Sequence, residues 1–213
     1  FGLIVASSVL VAKEIKHWHI GTVISLIAGG CIAYVITVMS PAETPNTWWF
    51  IILSGAIAIC AMILPGISGA FILLLMGKYS YILGAVSSLN IGVMLLFIVG
   101  AVAGIISFSH LLSWLLKKHH TATVATLTGF MVGSLNKVWP WKETLETYTD
   151  SHGVVRPLVE ANVSPHYFQE LTQSDPLLVE AIVMCIVGFV LIYGIEFIGK
   201  KMQKQQSINI WQI

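Results

Sequence analysis

The chain has 213 residues, 56% of them apolar and 10% charged, with a formal net charge of +1 and a mean hydropathy of +0.85. So little polar surface cannot cover a water-soluble globule, which places the chain in the membrane class. A near-neutral charge removes the electrostatic case for nucleic acid. Cys31, Cys60 and Cys185 stand singly in apolar sequence, with no CxxC pair and no His at ligand spacing. They read as small core residues, and neither a metal nor a cofactor is expected.

In chain order, residues 1–12 read as the tail of an apolar helix, ended by Lys13-Glu14-Ile15-Lys16. The chain opens on Phe1 with no basic n-region and no small-residue cleavage site, so further protein is expected upstream. Residues 20–40 are predicted as a full span, about the 20 residues a helix needs to cross roughly 30 Å of hydrocarbon. Pro41 and Pro45 close it. Trp48-Trp49, suited to the membrane interface, open a run to Leu64 that stops at Pro65-Gly66-Ile67-Ser68-Gly69. Residues 70–77 follow, then a polar interruption at Lys78-Tyr79-Ser80-Tyr81. Residues 91–108 form the next span, with Gly100 and Gly104 spaced for close helix contact. Residues 111–116 extend it to Lys117-Lys118-His119-His120. A weaker span, 121–138, contains Gly129 and Gly133 and ends at Trp139-Pro140-Trp141. The last, 177–198, is predicted to start from an Asp175 N-cap with Pro176 at its first position.

Residues 140–176 read as an extracytoplasmic acidic loop, and 199–213 as a cytoplasmic tail. Glu143, Glu146, Asp150, Glu160, Glu170 and Asp175 face only Lys142 and Arg156 there, the composition of a solvated segment. Its length points to some internal structure, and Ser164-Pro165 is a helix-start signal inside it. Basic residues are retained on the cytoplasmic side of span ends, and Lys13, Lys16, Lys117, Lys118, Lys200, Lys201 and Lys204 define one such side. Lys117-Lys118 reach it only if the pieces flanking 65–69 together return the chain to the side it left. Two half-helices meeting inside the membrane or two full crossings both satisfy that parity.

Pro65 lacks an amide hydrogen, and Gly66 and Gly69 open dihedrals closed to other residues. Irregular backbone at membrane depth persists only where protein or a wet cavity covers it. A helix restarting near Ser68 would aim its free amides and positive dipole end at that cavity, an arrangement that binds phosphate or carboxylate. Lys78, at the end of the second half-helix, and Lys137, after the Gly129/Gly133 helix, are candidates to add positive charge; Lys78 also suits capping and snorkelling, and Lys137 interfacial anchoring beside Trp139 and Trp141. A proline kink held by neighbouring helices is the alternative reading of 65–69. Gly2-Leu3-Ile4-Val5-Ala6-Ser7 matches Gly129-Phe130-Met131-Val132-Gly133-Ser134 at a constant offset with opposite direction by the charge argument, the pattern of an inverted-topology repeat.

The stretch from Met62-Ile63-Leu64-Pro65-Gly66-Ile67-Ser68-Gly69-Ala70-Phe71 through Gly77-Lys78-Tyr79 resembles the signature of the undecaprenyl phosphate translocase family, formerly domain of unknown function 368. Leu111 to Lys117, and Gly129 through Ser134-Leu135 to Trp139-Pro140-Trp141, are similar to that family's second half. Family members carry a second Pro-Gly-x-Ser-Gly element near their start, which this chain does not contain. An arginine is commoner near Asn136. The resemblance implies a non-enzymatic, multi-pass transporter of the bacterial plasma membrane. It would return C55 polyprenyl phosphate from the outer to the cytoplasmic leaflet, with the headgroup at Pro65, Gly66, Ile67, Ser68, Gly69, Lys78 and Lys137. The implied fold is all-α, with a re-entrant hairpin broken at 65–69. A homo-oligomer is compatible with the sequence.

Two other functions stay open at this level. A membrane enzyme acting on polyprenyl (pyro)phosphate would need acid, base and nucleophile together; Ser151-His152 and Arg156 are the nearest candidates. A scaffolding protein would use Gly100/Gly104 and Gly129/Gly133 only as packing faces. His110, Glu180 and Glu196 are candidates for a proton relay, and Asn90 for packing or path lining.

Overall fold

Chain in hydrocarbon must satisfy every backbone donor and acceptor within itself, so the apolar runs become helices. A computed structural model describes residues 1–15, 17–149 and 153–210. Lys16, Asp150, Ser151, His152 and residues 211–213 lie outside the described residues, as do the side chains of Arg156 and Lys204. The helices are α1 (Gly2–Lys13), α2 (Ile20–Val38), α3 (Trp48–Ile63), α4 (Gly69–Leu75), α5 (Tyr79–Ser87), α6 (Ile91–Lys118), α7 (His120–Ser134), α8 (Pro165–Thr172) and α9 (Leu178–Ile210). Three segments, α2, α6 and Leu178–Met202 of α9, are long and apolar enough to cross a bilayer. The helical membrane architecture expected from composition is therefore present.

Helices in lipid gain nothing from hiding apolar surface from one another, so close backbone contact is what pairs them. α2 packs along α7, α3 along α6, and α1 against both α7 and α9. A Cβ added at Gly129 would lie 2.0 Å from the Leu26 carbonyl oxygen, and one at Gly100 only 1.9 Å from that of Ile52. The small-residue faces are thus where the backbones touch. The buried side of α2 is Thr22, Gly29 and Ala33, whereas Ile24, Ile27 and Val35 lie exposed, facing where lipid would be.

The acidic segment, whose length pointed to some internal structure, carries a β-hairpin. Strands β1 (Lys142–Thr149) and β2 (Val155–Asn162) pair antiparallel from Lys142↔Asn162 to Thr149↔Val155, with an irregular register around Glu146. A lone hairpin is marginal in water, and this one is tied at its base. Trp139 Nε1 donates to the Val163 carbonyl at 2.9 Å, and Trp141 Nε1 to the Pro176 carbonyl at 2.8 Å. Ser164 caps α8, its Oγ accepting from the Tyr167 amide at 3.2 Å. Asp175 Oδ1 accepts from the Leu177 amide at 3.0 Å, so it braces the turn before α9 and the helix begins two residues later than its cap position implied. α9 continues through Ile210, past the expected end at 198. α5, which the polar interruption hid, turns the chain between α4 and α6.

Candidate functional site

Helix α3 ends at Ile63, Leu64 adopts an extended conformation, and Pro65 offers no amide to continue the ladder. Gly66 has φ +92. A Cβ there would sit 2.3 Å from Ser134 Oγ and 2.9 Å from Ser134 Cβ, so the turn presses against the buried end of α7. Ser68 is extended (φ −96, ψ 132) at the N-cap of α4, and its side chain makes no capping bond. Ile67 is half-buried and Ser68 exposed, while Gly69 is buried where a Cβ would meet the Ala58 carbonyl oxygen at 2.7 Å. Its seven residues make α4 about 10 Å long, so α3 and α4 are not two full crossings of a bilayer. The chain breaks a second time at Met76-Gly77-Lys78, where the axes of α4 and α5 differ by 110°.

Lys78 belongs to that second break. Its side chain is 1% exposed, and Nζ donates to the Thr44 carbonyl at 2.7 Å and to Asn46 Oδ1 at 2.5 Å. The rings of Phe50 and Tyr81 lie 5.4 and 5.7 Å away. The Ala42 amide donates to the Leu75 carbonyl at 2.9 Å, so the loop before α3 and the end of α4 are stitched into one unit. Lys78→Met leaves two acceptors in that unit without their donor, and should cost about 1–3 kcal/mol. A lower unfolding midpoint in detergent checks this.

Lys137 stands in the 3-10 turn Leu135–Val138 that follows α7. Its Nζ lies 4.7 Å from the centre of the Phe71 ring, on the first turn of α4, and 3.0 Å from Glu160 Oε2. Lys142 Nζ reaches the same oxygen at 3.2 Å and donates to the Lys137 carbonyl at 2.7 Å. The structure therefore gathers 65–69 and Lys137 around the start of α4 and places Lys78 at its far end. A cavity of about 240 Å³ separates the hairpin from α4, with Phe71, Leu74, Lys137, Tyr148 and Glu160 in its wall.

Glu160 and Lys142 were not singled out by sequence. Their link to Lys137 depends on the strand register that sets Glu160 opposite Thr144, and no spacing reveals it. Burial alone would push the Glu160 carboxyl up, but hydrogen bonds and charge from Lys137 and Lys142 outweigh it and hold the group below its ordinary value. A depressed native value means the stabilisation is complete above the unfolded carboxylate value of about 4.3 and is lost as pH falls through the native one. Thermal unfolding at pH 6 and pH 3.5 should show that acid loss in the wild type and a smaller one in Glu160→Gln.

The remaining candidates have local roles. Asn90 caps α6, its Oδ1 accepting from the Val93 amide at 3.3 Å. The His110 ring pairs with the Ile106 carbonyl of its own helix at 3.0 Å. Glu196 pairs with Lys200 one turn on, and Glu180 is exposed in the first turn of α9.

Residues 1–156 match the profile of the family described as undecaprenyl phosphate translocase-like. The chain is 44% identical over 201 residues to a polyprenyl-phosphate transporter of Vibrio cholerae, covering 94% of this chain and 65% of that protein. It is 35% identical over 130 residues to a polyprenyl-phosphate transporter of Staphylococcus aureus, covering 54% of this chain and 46% of that protein. The chain thus spans just under two thirds of the first relative's length and about half of the second's. No solved structure matches it. Its apolar helices and bacterial relatives make it a multi-pass protein of the bacterial inner membrane. Signature residues, helical membrane architecture and profile converge, and the chain belongs to the undecaprenyl phosphate translocase-like family.

Proposed function

We propose that this protein carries a polyprenyl phosphate across the bilayer, returning the C55 carrier lipid from the outer to the cytoplasmic leaflet for reuse in envelope assembly. No covalent step is involved: the phosphate passes along a polar path while the prenyl chain stays in lipid. The observation that carries the reading is the interrupted helix at 65–69. Pro65, Gly66 and Ile67 form its turn, and Ser68 and Gly69 open α4 close to the cation of Lys137. In this reading Lys78 acts from behind, holding the far end of α4 so that the break keeps its shape.

Helix pairing supports an inverted repeat as the frame for this path. If α1 corresponds to α7, as their matching hexapeptides suggest, then α2 corresponds to α9. The pairs α1 with α9 and α7 with α2 are then the same contact made twice, and α1 meets α7 between them. A Cβ at Gly2 would lie 2.0 Å from the Cys185 carbonyl oxygen, as one at Gly129 would from that of Leu26. Carriers built this way place substrate at the repeat interface.

The test is reconstitution of the full chain in vesicles with labelled polyprenyl phosphate. Transfer between leaflets by the wild type, lowered in Ser68→Ala and Lys137→Gln at unchanged folded yield, is the expected result. Release of inorganic phosphate from the lipid would instead make the protein an enzyme.

A further inference from the structure

An apolar groove of about 480 Å³ runs between α2 and α7, walled by Leu26, Cys31, Val35, Gly129 and Val132. Tyr34 and Asn136 lie at its end and also line a polar cavity of about 360 Å³ under the hairpin, which holds Lys137, Lys142 and Glu160. The groove and the cavity therefore adjoin at these two residues. Asn136 is fixed at the junction, Nδ2 donating to Thr37 Oγ1 at 2.8 Å and Oδ1 accepting from Asn162 Nδ2 at 2.8 Å. From Leu26 to Val35 the helix rises about 14 Å, close to one leaflet of a core roughly 30 Å thick. An apolar slot one leaflet deep beside a cationic chamber fits a lipid with an isoprenoid tail and an anionic head. Free phosphate would use the chamber alone.

We propose that groove and cavity form one binding site for a polyprenyl phosphate. The first isoprene units lie between α2 and α7, and the phosphate replaces the Glu160 carboxylate between Lys137 and Lys142. The proposal rests on the transport reading above and adds where the tail lies and what the head displaces. A phosphomonoester carries close to two negative charges and three acceptor oxygens, against the single oxygen that Glu160 shares between both lysines. Glu160 thus serves as an internal anion that offsets one of the two positive charges while no lipid is present, and that the stronger anion displaces.

Binding of farnesyl phosphate, farnesol and inorganic phosphate to the full chain in detergent tests the site by calorimetry. Cys31→Trp fills the groove and should weaken farnesyl phosphate about tenfold, the loss of a few buried methylenes, with inorganic phosphate unchanged. Glu160→Gln should tighten both phosphates severalfold, and Lys142→Gln should weaken both. Val132→Trp, on the facing wall, repeats the groove test if Cys31→Trp folds poorly, and Gly84→Ala, which lines neither the groove nor the cavity and has nothing within 4 Å of its added carbon, is the neutral control. Farnesyl phosphate binding that ignores both tryptophans, weakens in Glu160→Gln, or is no tighter than inorganic phosphate overturns the shared site. If the wild type moves labelled lipid while the groove variants bind and transport normally, this site is wrong and the transport reading stands. If the binding pattern holds without transport by the wild type, the transport reading falls and the site stands.

Discussion

Gly66→Ala is expected to lower lipid transfer in reconstituted vesicles at least tenfold and to destabilise the fold by about 2–5 kcal/mol, summing left-handed strain and overpacking. Two independent costs meet at this residue. The backbone has φ +92, a region that a side chain enters only with strain. The added methyl would also lie 2.3 Å from Ser134 Oγ, and Ser134 is completely buried with its hydroxyl held by the Met131 carbonyl at 2.8 Å. The turn must therefore move away from α7, taking the start of α4 with it. A double-mutant cycle separates the costs. Ser134→Gly in the Gly66→Ala background removes the collision and leaves the dihedral strain, so stability should recover in part and non-additively. Full additivity of the two substitutions would mean that the turn and α7 do not touch.

The second large effect is expected at Gly100. A Cβ there would stand 1.9 Å from the Ile52 carbonyl oxygen, and one at Gly104, the next small residue on that face, would stand 2.7 Å from the Ala56 backbone. Backbone cannot give way as a flexible side chain can, so Gly100→Val must push α6 off α3 along the whole contact. Loss of most folded material in detergent is the expected outcome, with a cost of about 3 kcal/mol or more, the upper range of overpacking. Gly84→Ala is the matched control. Nothing lies within 4 Å of its added carbon, and a helical alanine in place of glycine should be neutral or stabilising by up to about 1 kcal/mol.

Hydropathy made the spans legible because hydrocarbon permits so few backbone arrangements. The same holds for the interruption at 65–69, where Pro65 and Gly66 leave no helical alternative, and for the Gly100 and Gly129 faces. Tertiary pairing was not legible. Strands 142–149 and 155–162 alternate poorly and are rich in acids, so composition pointed to solvated loop; the β-branched Thr144, Thr147 and Val159 were the available contrary signal. Lys78 and Lys137 looked equivalent in sequence as lone basic residues beside aromatic ones. Only the fold distinguishes them, one shut in among Thr44, Asn46 and Phe50, the other bridged to Glu160 beside Phe71. Residues 79–87 escaped notice because Lys78-Tyr79-Ser80-Tyr81 reads as a stop, whereas the chain there only changes direction.

The crossed pairing of α1 with α9 and α2 with α7 bears on how the protein is made. Ribosomes deliver α1 and α2 well before α9 and α7, so these two contacts cannot form as their first partners emerge. Docking of this layer consequently waits for α7 and α9, and a nascent chain stalled or clipped before them leaves those small-residue faces without these mates and open to improper company.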